Sequence, residues 1–385
     1  MNPLFDTVIE RRNTNSLKWN VEEDTIAMWV ADMDFRTAPC IQKAMQNTAA
    51  LGIYGYCEVP EAFYTSIQEW WRQEHCFAME REWMMFSSGV VPAISSMVRR
   101  LTQPAEKVVV LSPVYNIFYN SIVNNGRRVL ASELLYEGGT YEIDFIDLEQ
   151  KLQDPLTTLM IMCNPHNPIG KIWSREELTR MADICMANNT LLVSDEIHSD
   201  LVFHGKKHIP TATLSAETAG RVISCISGTK TFNLAGLQAS TTIFPNLEMK
   251  KKFDDFWMAM DIHRNNAFSS VAMEAAFNEG EEWLEQLLAY LDGNFTFIRE
   301  YCSANIPKIR PTVPDATYLV WLDCRELNMD NETLRTFMIE KAGLGLNEGY
   351  TFGRSLSGYM RLNAACPRSV LERALGQLKN AVDRL

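Results

Sequence analysis

Four short apolar runs dominate the middle of the chain. They are Lys107 to Tyr115 (KVVVLSPVY), Thr157 to Pro165 (TTLMIMCNP), Thr190 to His198 (TLLVSDEIH) and Arg221 to Ser227 (RVISCIS), and turn residues follow each. Runs this apolar and this short read as strands buried on both faces, so they predict a parallel sheet. Between the second and third, Ser174 can cap a helix and Glu177 completes a capping box three residues on. Leu178, Met181, Ala182 and Cys185 then mark one face at helical spacing, and ANNT ends the pattern. This is a βαβ unit, and several in a row predict a doubly wound, mostly parallel α/β sheet. Helical patterns follow over Glu248 to Met260 and then, as one long helix, from about Ser269 to Tyr301. From about Ile309 the texture changes. ATYLVWLDC and GYMRLNAAC read as strands, NETLRTFMIEKAG as a helix stopped by Gly343, and SVLERALGQLKNAVDRL as a closing amphipathic helix. The expected organisation is an arm and part of a small domain over residues 1–45, a large domain over 46–285, and a small α+β domain over 286–385.

Composition narrows the function classes. The 385 residues are 46% hydrophobic and 22% charged, ordinary for a globular protein. A net charge of −12 disfavours a nucleic-acid or anionic-membrane partner. The basic clusters at Lys250 to Lys252, Arg99-Arg100 and Arg127-Arg128 read as solvated faces. Nine cysteines, an odd number with no CxxC pair, suit a reducing compartment rather than a disulfide framework or a zinc site. The first sixteen residues lack the apolar core of a signal peptide, and no run approaches a membrane span, so a cytoplasmic location is expected.

In open α/β sheets ligands bind beyond the carboxyl ends of the strands. There the four runs deliver Tyr115, then Asn164 and Asn167, then Asp195 and His198, then Ser227 and Lys230. Lys230 sits in SCISGTKTFNLAG, a stretch with no other charged residue. A further strand–glycine–helix pattern, MMFSSGVVPAISSMV, places Gly89 at a turn whose helix start can present N–H groups to an anion. A lysine for an aldehyde, an acid for a ring nitrogen and a nest for a phosphate together suit pyridoxal 5′-phosphate. His166 and His198 match no common zinc spacing, so no metal is expected.

The motifs WVADMDF, YGY, SSGVVPA, SPVY, CNPHNPIG, SDEIHSD, KTFNLAGLQ and YMRLNAACPR occur here in an order and spacing that resemble the fold-type-I pyridoxal-phosphate enzymes. Within that class the chain looks like the cystathionine β-lyase group that includes the maltose-regulon modulator, over nearly its whole length. The resemblance implies that Lys230 binds the cofactor's aldehyde and later removes the substrate Cα proton. It implies that Asp195 pairs with the ring nitrogen, Asn167 bonds the phenolic oxygen, and Tyr115 stacks on the ring. Gly89, Val90 and Val91 would cradle the phosphate through backbone N–H groups, with Ser227 adding a hydroxyl and His198 also facing the cofactor. Tyr56 resembles the tyrosine that reaches the phosphate of a neighbouring subunit, which implies a homodimer with its site completed at the interface. Arg361 would grip the α-carboxylate of an amino-acid substrate, with Asn167 and the backbone at Ala31 close by.

One departure stands out. The general aminotransferase signature carries an arginine for the phosphate eight residues after the lysine, and here that position is Gln238. Together with the closer resemblance to the β-lyase group, this departure favours a carbon–sulfur β-lyase, which the resemblance implies releases a thiol, pyruvate and ammonia from L-cystathionine or related cysteine S-conjugates. Aminotransfer is the alternative, and binding of a transcription activator through a surface patch is a possible second function.

Overall fold

A computed structural model describes residues 3–137 and 139–385. The chain divides into two compact units. The larger holds Thr37–His166 and Ile172–Leu284; the smaller holds the residues up to Arg36 together with Asn167–Lys171 and Glu285–Leu385. The first division thus falls at Thr37, because the helix α1 (Pro39–Leu51) packs against a helix of the larger unit, Ser269–Glu279.

Seven strands make the sheet of the larger unit: β1 (Met84–Ser87), β2 (Lys107–Ser112), β3 (Arg128–Glu133), β4 (Thr157–Cys163), β5 (Leu191–Asp195), β6 (Val222–Ile226) and β7 (Ser240–Ile243). Their order is β1-β7-β6-β5-β4-β2-β3, with β7 antiparallel to both neighbours and the remaining pairs parallel. All four apolar runs are therefore adjacent, parallel and buried, and their carboxyl ends share one edge. Val108, Val110, Leu159, Ile161, Val193 and Ile223 join Ile94, Met97, Phe118, Phe253 and Trp257 in one apolar cluster. Five of these helices matter below: α2 (Glu61–Glu74), α3 (Val90–Leu101), α4 (Arg175–Ala187), α5 (Leu247–Met260) and α6 (Ser269–Glu279). The capping box of α4 forms as expected, with Glu177 N–H donating to Ser174 Oγ at 3.1 Å and Ser174 N–H to Glu177 Oε2 at 2.8 Å.

The single long helix expected from about Ser269 to Tyr301 is two helices. α6 stops at Gly280, whose N–H bonds Ala276 carbonyl at 2.9 Å, and α7 (Glu281–Asn305) begins at once. Apolar residues keep helical spacing on both sides of the glycine, so periodicity alone hides the break.

The smaller unit is built on an antiparallel sheet of β8 (Arg310–Thr312), β9 (Leu319–Asp323), β10 (Asn347–Glu348) and β11 (Tyr359–Asn363), in the order β8-β9-β11-β10. The helix expected after Asp330 is α-helical over Asn331–Thr336 and widens to a π-helical turn over Phe337–Lys341. α8 (Arg368–Val382) closes the chain. Ile26–Ala27 pairs in parallel with Leu344–Gly345, which brings the stretch Trp29 to Phe35 into this unit.

Gly170 fixes the small unit's share of the middle of the chain. Its φ is +66°, its carbonyl accepts the N–H groups of Asp315 and Ala316 at 2.9 Å each, and a Cβ there would lie 2.4 Å from Pro314 Cβ. Gly170→Ala therefore combines a left-handed backbone with a hard clash, and it should destabilise the chain by about 2–4 kcal/mol. A lower urea midpoint at unchanged denaturant slope is the expected result.

Candidate functional site

The turn after β5 buries three carboxylates in six residues. Asp195 is 5% exposed and Glu196 wholly buried, and the Asp200 side chain is 4% exposed. Carboxylates taken out of water need donors or positive charge to stay ionised. Glu196 has them: His208 Nε2 at 3.0 Å, Thr211 N–H at 3.1 Å and Ser224 Oγ at 3.2 Å. Asp200 has them too, in Trp70 Nε1 at 2.9 Å, His75 Nε2 at 2.7 Å and Thr231 Oγ1 at 2.7 Å. Against the upward push of burial, these bonds hold both carboxyls below the usual carboxylate range.

Asp195 is different. Among the described residues one hydrogen bond reaches its carboxyl, from Ile197 N–H at 3.2 Å. Burial pushes its carboxyl up to about 7; Ile197 N–H and the charge of Lys230 oppose this, and the adjacent Glu196 adds to it. Asp195 lies in register with Cys163 of β4 and Cys225 of β6, at the sheet edge where ligands bind in open α/β folds. The alternation of a strand end sends Glu196 to the other side, onto His208, which is why only Asp195 faces the Lys230 side.

Lys230 sits in a tight turn after β6. Phe232 N–H bonds Gly228 carbonyl at 2.9 Å and Leu234 N–H bonds Thr229 carbonyl at 2.8 Å. In the same unit Gly89, at φ +122°, precedes α3 and offers no side-chain cap, so the N–H groups of Val90 and Val91 open a helix start. Gln238 stands beside this turn: a Cβ on Gly89 would lie 3.5 Å from Gln238 Oε1, while Gln238 Nε2 donates to Ala235 carbonyl at 2.9 Å. Ser227 Oγ donates to Ala239 carbonyl at 2.7 Å and accepts from Thr229 N–H at 3.1 Å, so its proton is turned into the protein. Tyr115 is half-buried against Phe118, with ring centres 5.9 Å apart, and His198 is 4% exposed in the turn beyond Asp195. His166 contacts Pro113 carbonyl through Nε2 at 2.7 Å. Tyr56 is 98% exposed in a stretch that also exposes Leu51, Ile53 and Tyr54, with the Arg264 guanidinium 5.6 Å from its ring centre. Among the described residues, no group of three or more His, Cys, Asp or Glu side chains could hold a metal.

The smaller unit brings Arg361, Asn167 and Ala31 together. Arg361, 4% exposed on β11, donates to Asn167 Oδ1 at 3.1 Å, Asn347 Oδ1 at 2.6 Å and Trp29 carbonyl at 2.9 Å, with Phe352 4.8 Å from its guanidinium carbon. These contacts fix the plane of the fork. The Trp29 to Phe35 stretch is tied down carbonyl by carbonyl. Val30 and Asp32 accept from Asn363 Nδ2 at 2.7 and 2.6 Å, Ala31 from Tyr318 hydroxyl at 2.8 Å, and Met33 from Arg11 at 3.1 Å. Lys18, fully buried, adds a bond to Asp32 carbonyl at 3.2 Å and an ion pair with Asp34 at 2.8 Å.

Sequence reasoning gave no role to Asp200, His75, Thr231, Asn347, Asn363 or Tyr318. Asp200 closes the SDEIHSD motif and was within reach; Asn347 lies in LGLNEGY, which carries no periodic or motif signal.

The Asp195 carboxyl gives a pH-dependent prediction. Unfolded, it ionises near 3.9; folded, near 7. Between the two only the folded chain keeps the proton, so the contribution of Asp195 to stability is greatest below about pH 4 and is lost as pH rises towards 7. Asp195→Asn should therefore stabilise the ligand-free protein above pH 7, by at most about 4 kcal/mol, and leave it unchanged near pH 4. Urea denaturation at several pH values measures this.

The family model "Aminotransferase class I and II" matches residues 23–378. The chain is 40% identical to cystathionine beta-lyase PatB of Bacillus subtilis, over 98% of this chain and 99% of that protein. Protein MalY of Escherichia coli is 32% identical over 98% of both chains. The crystal structure of cystalysin from Treponema denticola, which contains a pyridoxal 5′-phosphate cofactor, superposes with a TM-score of 0.96 at 32% identity, covering 99% of this chain and 98% of that one. By family model, full-length identity and fold, the chain belongs to the class I and II aminotransferases, in the group of the cystathionine beta-lyases and MalY.

Proposed function

We propose that the chain is a pyridoxal-phosphate-dependent carbon–sulfur β-lyase that cleaves L-cystathionine or related cysteine S-conjugates to a thiol, pyruvate and ammonia. The observation that carries this reading is Asp195: a buried carboxylate left short of donors in the same unit as Lys230, while its two carboxylate neighbours are fully matched. A protonated ring nitrogen at Asp195 would supply the missing positive charge, so the residues present fit the cofactor. The choice of β-elimination follows the cystathionine beta-lyases that match over 98% of the chain.

When bound, pyridoxal 5′-phosphate supplies an electron-poor ring that takes up the electron pair left by the substrate Cα–H bond. Asp195, once ionised, holds a proton at the ring nitrogen. Lys230 Nζ would be the amine that meets the cofactor's aldehyde and the base placed to take the Cα proton. Val90 and Val91 N–H at the start of α3 hold the phosphate, with Gly89 keeping the approach open. Ser227 supports the lysine turn through Ala239 and Thr229. Tyr115 would stack on the ring, His198 would face the cofactor, and Asn167 would serve the phenolic oxygen. Arg361, held by Asn347 and Trp29, grips the α-carboxylate, with Ala31 in the immobilised stretch beside it in its own unit. The acceptor-bound fork makes the position intolerant of lysine, which lacks the planar pair of donors.

Two copies of the chain would pair over the exposed stretch around Tyr56, which then serves the partner's phosphate site. Exposed Ile53, Tyr54 and Tyr56 support that pairing. Nine free thiols, six of them buried, support a cytoplasmic location.

With cofactor, L-cystathionine and no 2-oxo acid, steady pyruvate release is expected; a strict need for a 2-oxo acid would overturn the lyase reading in favour of aminotransfer. Lys230→Ala should lower turnover by about 10³-fold or more. Arg361→Lys should raise KM for the amino acid by about tenfold or more, checked by the same assay across substrate concentration.

A further inference from the structure

Asp200 is tied to two parts of the larger unit at once. Its Oδ1 accepts from Trp70 Nε1 at 2.9 Å and His75 Nε2 at 2.7 Å, both from the carboxyl end of α2. Its Oδ2 accepts from Thr231 Oγ1 at 2.7 Å, the residue directly after Lys230. Thr231 is fully buried, and the Asp200 side chain is 4% exposed. Trp70 also packs on Phe232, the next residue of the same turn, with ring centres 5.8 Å apart. The backbone bonds Phe232 N–H to Gly228 carbonyl and Leu234 N–H to Thr229 carbonyl close the turn, but they run within it and anchor it to nothing else. Phe232 adds apolar packing on Trp70, Phe277 and Trp283, and the Asp200 carboxylate adds a polar anchor from outside the turn.

We infer that Asp200, clamped by Trp70 and His75, is a positioning residue that fixes the Lys230 turn through the Thr231 hydroxyl. The inference rests on the reading of Lys230 as the cofactor lysine. A carboxylate sharing three donors is rigid, because moving it would strand a buried charge. Thr231 reaches that carboxylate through its hydroxyl, so this one hydrogen bond is the link by which Asp200 acts on the turn that carries Lys230. Asp200 touches neither cofactor nor substrate in this role; it acts through Thr231.

The test uses the full chain and four variants. Thr231→Val removes the hydroxyl at constant shape, and Thr231→Ser keeps it. Trp70→Phe weakens the clamp from the other side while keeping an aromatic on Phe232. Lys230→Ala is the reference. Cofactor-free protein is mixed with pyridoxal 5′-phosphate, and growth of the visible band of bound cofactor is followed alongside kcat and KM for L-cystathionine. Thr231→Val should capture cofactor about tenfold more slowly and lose about tenfold in kcat, with KM within threefold of the parent. Thr231→Ser should recover most of both. Trp70→Phe should shift both in the same direction as Thr231→Val, and it decides the matter if Thr231→Val does not fold. Parent-like capture and kcat in Thr231→Val, or in Trp70→Phe where that variant decides, would overturn the positioning role and leave Asp200 as packing. A Lys230→Ala variant that still develops the parent's visible band would instead sink the underlying assignment of Lys230, whatever Thr231 does.

Discussion

A carboxylate in a protein interior must be matched by hydrogen-bond donors or by positive charge, and the turn after β5 sets that problem three times over. Much of the larger unit is arranged as the answer. His208, Thr211 and Ser224 converge on Glu196; α2 sends Trp70 and His75 to Asp200, and the lysine turn adds Thr231. Asp195 alone is left short of donors, with one hydrogen bond to its carboxyl. Groups with the same chemistry in adjacent positions are thereby driven to different proton affinities, one high and two low, and such separation marks where a functional acid or base stands.

The smaller unit solves a different problem, that of holding an irregular stretch still. Trp29 to Phe35 has almost no regular secondary structure, yet the carbonyls of Trp29, Val30, Ala31, Asp32 and Met33 all accept bonds from side chains. Three of those donors, Tyr318, Arg361 and Asn363, come from β11 or the turn leading into β9, and two, Arg11 and Lys18, from the N-terminal segment. An arginine and a buried lysine paired with Asp32 and Asp34 form a compact charged network in which each member needs the others.

Legibility in the sequence followed the range of the interaction. The four strands, the capping box of α4 and the residues at the strand ends were all legible, because apolar runs and caps are local signals. Lys230 stood out by its lack of charged neighbours, and Asp195 by its place at a strand end. The break at Gly280 was hidden by uninterrupted apolar spacing. Asp200 and His75 are 125 residues apart and Arg361 and Asn167 are 194 apart. Such pairs exist only once the chain is folded, so neither His75 nor Asn347 carries any mark in the linear pattern. The bond from Ser227 to Ala239 is equally tertiary, and it turns a hydroxyl expected at the phosphate back into the protein.

Gln238 has an effect at long range. At the glycine turn before α3 the side chain that stands beside Gly89 is an amide, and the chain as a whole carries a net charge of −12. If the start of α3 holds the phosphate as proposed, a dianion approaching from solvent would meet the repulsive far field of a net-negative chain and be attracted at short range by helix-end N–H dipoles. Dissolved ions screen the far field and leave short contacts nearly untouched. An anion pocket built this way would load faster as ionic strength rises, the reverse of one built on an arginine in an electropositive surface.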